Sequence, residues 1–162
     1  MQTQTLLRFS GGAAIIGGAL RLGEPALRKA LTGNALLIAF FVIDFFLLLG
    51  LLGWYAWRAE KLGVAGLIGF VSGVVGIMTI RSADLFGGRE GYVVGATLLL
   101  IGLVVMNAPA LMRWERPVCP PLLWLIAFVL GLGSLAYPPL AFAAGTVFGI
   151  GYIFAGVSLL RA

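Results

Sequence analysis

The sequence predicts an all-α protein, a polytopic bundle of six membrane-spanning helices, or five if its N-terminal segment lies at the interface. Three observations lead there. Of 162 residues, 61% are hydrophobic and only 10% charged, too little polar surface for a domain facing water. Apolar runs of roughly 20 residues, the length that crosses a hydrocarbon core, recur along the chain. The charges and most prolines gather in short connections between those runs, so sequence neighbours become antiparallel packing partners in a single domain covering residues 1–162.

The first span, about 5–22, is the most compromised. Its uninterrupted apolar stretch runs from Arg8 to Arg21 and holds Gly11, Gly12, Gly17 and Gly18. Arginines at both ends reach the headgroups by snorkelling, which favours a short span inside the bundle over an interfacial helix. A cleaved signal peptide fits less well, because no charge precedes Arg8 and glycines dilute the apolar core. The following "LGEPALRKALTGN" reads as a short interfacial helix. Pro25 starts it, Gly33-Asn34 stops it, and Arg28 and Lys29 turn toward phosphate.

The second span, about 35–57, contains "LIAFFVIDFFLLLGLL", apolar except for Asp44. A central carboxylate costs roughly 2.5–3.5 kcal/mol, and each Leu, Ile, Phe or Val returns a few tenths. Fourteen such residues outweigh it, so the segment inserts. Asp44 then needs a partner from another helix, since Phe40, Phe41, Leu47 and Leu48 are its neighbours one turn away. Ser72 lies at nearly the same depth, Thr146 somewhat shallower, and Asn107 nearer the opposite face. No basic residue is level with it, although Arg81 is placed to lean inward. Three roles stand open: a protonated clasp bonded to Ser72 or a backbone carbonyl, a proton or cation site on a transport path, or a contact with a partner subunit or ligand.

After a connection at 58–62, the third span, about 63–80, carries Gly66, Gly69, Gly73 and Gly76 on one face. In lipid, small residues that admit close backbone approach form the helix-association surface. The loop "RSADLFGGRE" follows and reads first as a solvated turn with snorkelling anchors, where Arg81, Asp84, Arg89 and Glu90 could also pair among themselves or grip an anionic headgroup or a partner's loop. The fourth span is about 91–112. The fifth, about 121–137, opens on Pro120-Pro121 and closes at Pro138-Pro139, as helix boundaries prefer. The sixth, about 140–160, holds the GxxxG pair Gly145 and Gly149.

Six spans place Arg8, Arg58, Lys61, Arg113, Arg116 and Arg161 on one side, and Arg21, Arg28, Lys29, Arg81 and Arg89 on the other. That balance is too even for the positive-inside rule to orient the chain. All four tryptophans fall on the first side. With no histidine and one cysteine, Cys119, the chain has no internal disulfide, no multi-ligand Cys/His zinc site and no histidine-ligated haem. No cofactor is expected. Basic residues scattered among short loops read as topology determinants rather than a nucleic-acid surface. No nucleophile–base–acid set or carboxylate pair at one depth points to an enzyme.

The opening "LLRFSGGAAIIGG", the second-span exit "WYAWRAEKLGVAGLIGF" and the glycine-rich last helix ending at Arg161 give a plan that resembles uncharacterised six-span bacterial integral membrane proteins. That resemblance implies a multi-pass protein of the bacterial inner membrane and brings no activity. The chain is also similar to the substrate-capturing subunits of bacterial vitamin importers, whose first helix docks through small-xxx-small motifs; Ala13/Gly17 and Ala14/Gly18 would correspond. The expectation is a non-catalytic accessory or structural subunit of a larger membrane assembly, an energy-transducing complex being one candidate host. Its partners are then lipid and other membrane subunits or a second copy. The alternative is a small transporter or importer substrate-binding subunit in which Asp44 contacts a proton, cation or substrate.

Overall fold

In a computed structural model describing residues 2–83 and 88–162, the chain is all-helical. Six helices follow one another: α1 (Gln2–Leu22), α2 (Glu24–Ala30), α3 (Gly33–Arg81), α4 (Arg89–Met112), α5 (Cys119–Gly133) and α6 (Leu140–Leu160). Three of them, α3, α4 and α6, are long and apolar enough to cross a membrane. The apolar α5 has 15 residues, and α2 is the short helix that Pro25 announces.

The largest departure from the sequence reading is α3. Residues 58–62, expected as a connection, stay helical, and α3 covers 49 residues as two helices that meet at Gly63. Straight, it would measure about 74 Å at 1.5 Å per residue, more than twice a bilayer core of about 30 Å. It is not straight. Gly63 has φ 59° and ψ −152°, backbone that is essentially glycine-only, and the chain reverses there. Tyr55 stacks on Phe70 at 4.6 Å, Leu51 lies against Gly73, and Asp44 meets Arg81. Partners that converge in number toward Gly63 define an antiparallel hairpin, with arms at 33–62 and 64–81.

Glycines set the remaining contacts. Gly11 of α1 faces the backbone of Gly156 in α6, and Gly18 faces Gly149. Gly69 of the second α3 arm faces Gly102 of α4, and Gly76 faces Gly95. A methyl group on any of these eight would meet the partner's carbonyl oxygen at 3.0 Å or less. Such proximity permits weak Cα–H···O contacts and extensive dispersion, the association forces left in lipid. A second face of α1 places Ser10, Ala14 and Gly17 against Gly53, Gly50 and Leu47 of the first α3 arm.

Each helix thereby finds two neighbours. The second α3 arm packs on α4, α4 on α5, α5 on α6, α6 on α1, and α1 on the first α3 arm, which closes the ring. Large side chains fill one end of the interior: Trp54, Trp124, Tyr152, Leu51, Leu103 and Met106 are all fully buried.

Candidate functional site

Asp44 lies on the first α3 arm, and its partner is Arg81, the last residue of the second. Arg81 Nε donates to Asp44 Oδ2 within an ion pair. Of the partners the sequence offers, Arg81 makes the contact and Ser72 does not. Ser72 turns toward α4, where its hydroxyl donates to the Leu98 carbonyl at 3.1 Å, while Thr146 bonds back to Phe142 O at 3.0 Å on its own helix. The hairpin register explains the outcome. Pairing at 55/70 and 51/73 brings position 81 opposite position 44, and the long arginine stem carries the guanidinium inward from the helix end.

Other arginines surround this pair. Arg21, in the last turn of α1, forms an ion pair with Glu24 and donates to Tyr92 Oη at 3.3 Å. Glu24 also accepts from Arg28 Nε at 2.9 Å. The guanidinium carbons of Arg28 and Arg81 lie 4.6 Å and 5.6 Å from the centre of the Phe40 ring, within cation–π range. Arg89 opens α4 and makes no ion pair among the described residues. Glu90 is exposed beside it. Asp84 lies outside the described residues.

These groups rim a cavity of about 680 Å³ inside the helix ring, within the roughly 300–1,000 Å³ of small-molecule sites. All six helices line it. Asp44, Glu24, Arg21, Arg28, Arg81 and Arg89 supply its charged groups, and Leu37, Ile43, Leu47, Leu100, Phe128, Leu132 and Phe148 much of its apolar wall. One turn further in stands an aromatic floor. Trp54 meets Trp124 edge-on at 5.5 Å, Trp124 meets Tyr152 at 5.3 Å, and Tyr152 meets Phe148 at 4.9 Å. Asn107 anchors the floor, accepting from Trp54 Nε1 at 2.9 Å and donating to Leu103 O at 2.8 Å. Beyond the floor, Arg58 is only 4% exposed; it sits over Trp54 and Trp57 and pairs loosely with Glu115 at 3.7 Å.

Among the described residues, four arginines against two carboxylates leave the rim two positive charges in excess when every group is ionised. Above apolar walls, that arrangement suits an anion attached to an apolar body. The sequence reading had singled out Asp44, Arg81 and Arg89, which the fold brings to one cavity, and Asn107, which it assigns to the floor. Ser72 and Thr146 stay outside. The packing glycines Gly66, Gly69, Gly73, Gly76 and Gly149 are buried, and Gly145 lines the cavity beside Arg21. Missed altogether were Arg21, Glu24, Arg28 and Tyr92 as parts of one site. The available signal was the charge tally: Arg21, Arg28, Arg81 and Arg89 all belong to the same side of the alternating topology. No family model, curated protein or solved structure matches this chain, so its own residues carry the functional reading.

Proposed function

We propose that this chain is a six-span, non-catalytic protein of the bacterial inner membrane, and that it serves as the substrate-binding component of a small transporter or importer. The observation that carries this reading is the 680 Å³ cavity, rimmed by arginines and walled by apolar side chains, with the buried cluster of Trp54, Trp124 and Tyr152 packed beyond its lining. Intramembrane charges are costly and mark functional positions by default, and this site gathers Asp44 and Arg81 where a ligand has room beside them. The six spans are α1, the two arms of α3, α4, α5 and α6, with α2 lying at the interface. Their alternation puts Arg21, Arg28, Arg81 and Arg89 at one membrane surface.

The accessory-subunit reading drew on tight loops and on packing through glycine faces and lipid, and one glycine face open to another chain would support it. The stripes of α1 and of the second α3 arm are instead filled by α6, α4 and the first α3 arm. That includes Ala14, Gly17 and Gly18, the positions an importer subunit would use for docking, so the importer reading rests on the cavity and draws nothing from that motif. What remains outside is an apolar surface that lipid suits equally well.

Mild-detergent extraction followed by native mass spectrometry separates the two readings. A substrate-binding component retains a small-molecule adduct at one per chain, which dissociates at higher collision energy. Recovery of the bare chain within a stoichiometric set of larger membrane proteins would return the accessory reading instead.

A further inference from the structure

The cavity's charge and wall chemistry also specify what it holds. We propose that the ligand is an anionic lipid whose headgroup is a phosphate monoester, with its phosphate among Arg21, Arg81 and Arg89 and its acyl or isoprenoid chain against Leu37, Phe128 and Leu132. This rests on the reading of the cavity as a binding site.

Three observations lead to that class. The rim's excess of two positive charges matches a phosphate monoester, which carries about −1.5 to −2 at neutral pH; a carboxylate or phosphodiester neutralises only half of it. Guanidinium forks match tetrahedral oxyanions by paired N–H···O bonds, and Arg89 has its full set of donors free of any ion pair among the described residues. Below the rim the wall carries two aliphatic hydroxyls, Thr97 and Ser134, against a majority of apolar side chains, too few donors and acceptors for a sugar or a base. Ser134 spends its hydroxyl on Gly131 O at 2.6 Å, so the body of the ligand is apolar. Arg21, Arg81 and Arg89 also stand at helix ends, where the ends of spanning helices meet the headgroup region, and an amphiphile would enter along that plane.

The test uses the full chain in phosphatidylcholine nanodiscs, titrated separately with phosphatidic acid and with phosphatidylglycerol of identical acyl chains, and read by native mass spectrometry. Phosphatidic acid is expected to bind at least about tenfold more tightly. Arg89→Gln is expected to remove about that factor while helix content and the thermal transition stay unchanged. Lys29→Gln, on the same side but outside the cavity, should change affinity less than about twofold. Inorganic phosphate at millimolar concentration should fail to displace the lipid. Equal binding of the two lipids, equal losses in the Arg89 and Lys29 variants, or displacement by inorganic phosphate would each overturn the proposed ligand and leave the cavity as a site for something else. If folded protein binds neither lipid nor phosphate and retains no adduct on extraction, the binding-site reading falls as well.

Discussion

The pairing of Asp44 with Arg81 depends on two side chains separated by a hairpin, and the sequence marked the first plainly and the second only as a residue able to lean inward. An isolated carboxylate in an apolar run is conspicuous; an arginine at a helix end looks like any headgroup anchor until the register is known. With side-chain exposures of 15% and 29%, the pair is wetter than the buried ion pairs whose disruption costs 3–5 kcal/mol. Loss of either partner is expected to cost about 1–2 kcal/mol. Asp44→Asn, Arg81→Gln and their double mutant, compared by unfolding in mixed micelles, should give a coupling energy of about 1 kcal/mol. Strict additivity would mean that the two side chains do not depend on one another. Asn107 offers a cleaner case, since it is fully buried and bonded to Trp54. Asn107→Leu strands the indole N–H and is expected to destabilise by about 0.6–2 kcal/mol. A blue shift of tryptophan emission unaccompanied by any stability loss would refute that role for Asn107.

Between elements, glycines govern the fold, and the chain announced them under a slightly wrong spacing. The sequence drew attention to Gly145/Gly149, four residues apart, and to the stripe Gly66, Gly69, Gly73 and Gly76, spaced by three and four. The backbone contacts use Gly11/Gly18, Gly149/Gly156, Gly69/Gly76 and Gly95/Gly102, each seven apart. Two helical turns keep such pairs on one face, so both spacings are compatible with a stripe; the partner's own glycines decide which is used, and a single helix does not contain that information. Gly76→Ala puts a methyl against the α4 backbone and is expected to cost about 1–3 kcal/mol. Gly12→Ala, with open space around it, should be neutral or stabilising by up to about 1 kcal/mol. Similar thermal shifts for the two variants would contradict the packing described here. The connection at 58–62 was misread for a related reason. Polar residues there suggested a loop, yet a single glycine at 63 suffices to reverse the chain. Gly63→Ala has no comfortable backbone conformation and is expected to lower stability by about 1–3 kcal/mol, with loss of the Tyr55–Phe70 contact as its local signature.

For the whole molecule, composition made the helical class and the membrane setting legible, whereas the cavity was not. Its lining comes from all six helices, and no two neighbouring positions in the chain reveal that Arg21, Arg81 and Arg89 converge. The six-span arrangement has its own check. With Cys119 changed to Ser, Gln4→Cys and Ala26→Cys should react with a membrane-impermeant maleimide from opposite faces of oriented vesicles. Labelling of both from one face would make α1 interfacial and leave five spans.

The sandwiching of α1 has a consequence for how the molecule comes into being. One small-residue face of α1 is completed by the first α3 arm, which is synthesised soon afterward. The other waits for Gly149 and Gly156, near the opposite end of the chain. At roughly 5–20 residues added per second, that face stays without its mate for several seconds or more after α1 inserts, and through this interval the cavity has no finished wall. A nascent chain stalled before α6 should therefore be the species that membrane proteases and insertion chaperones recognise, and any binding the proposed site performs should begin only with its last helix.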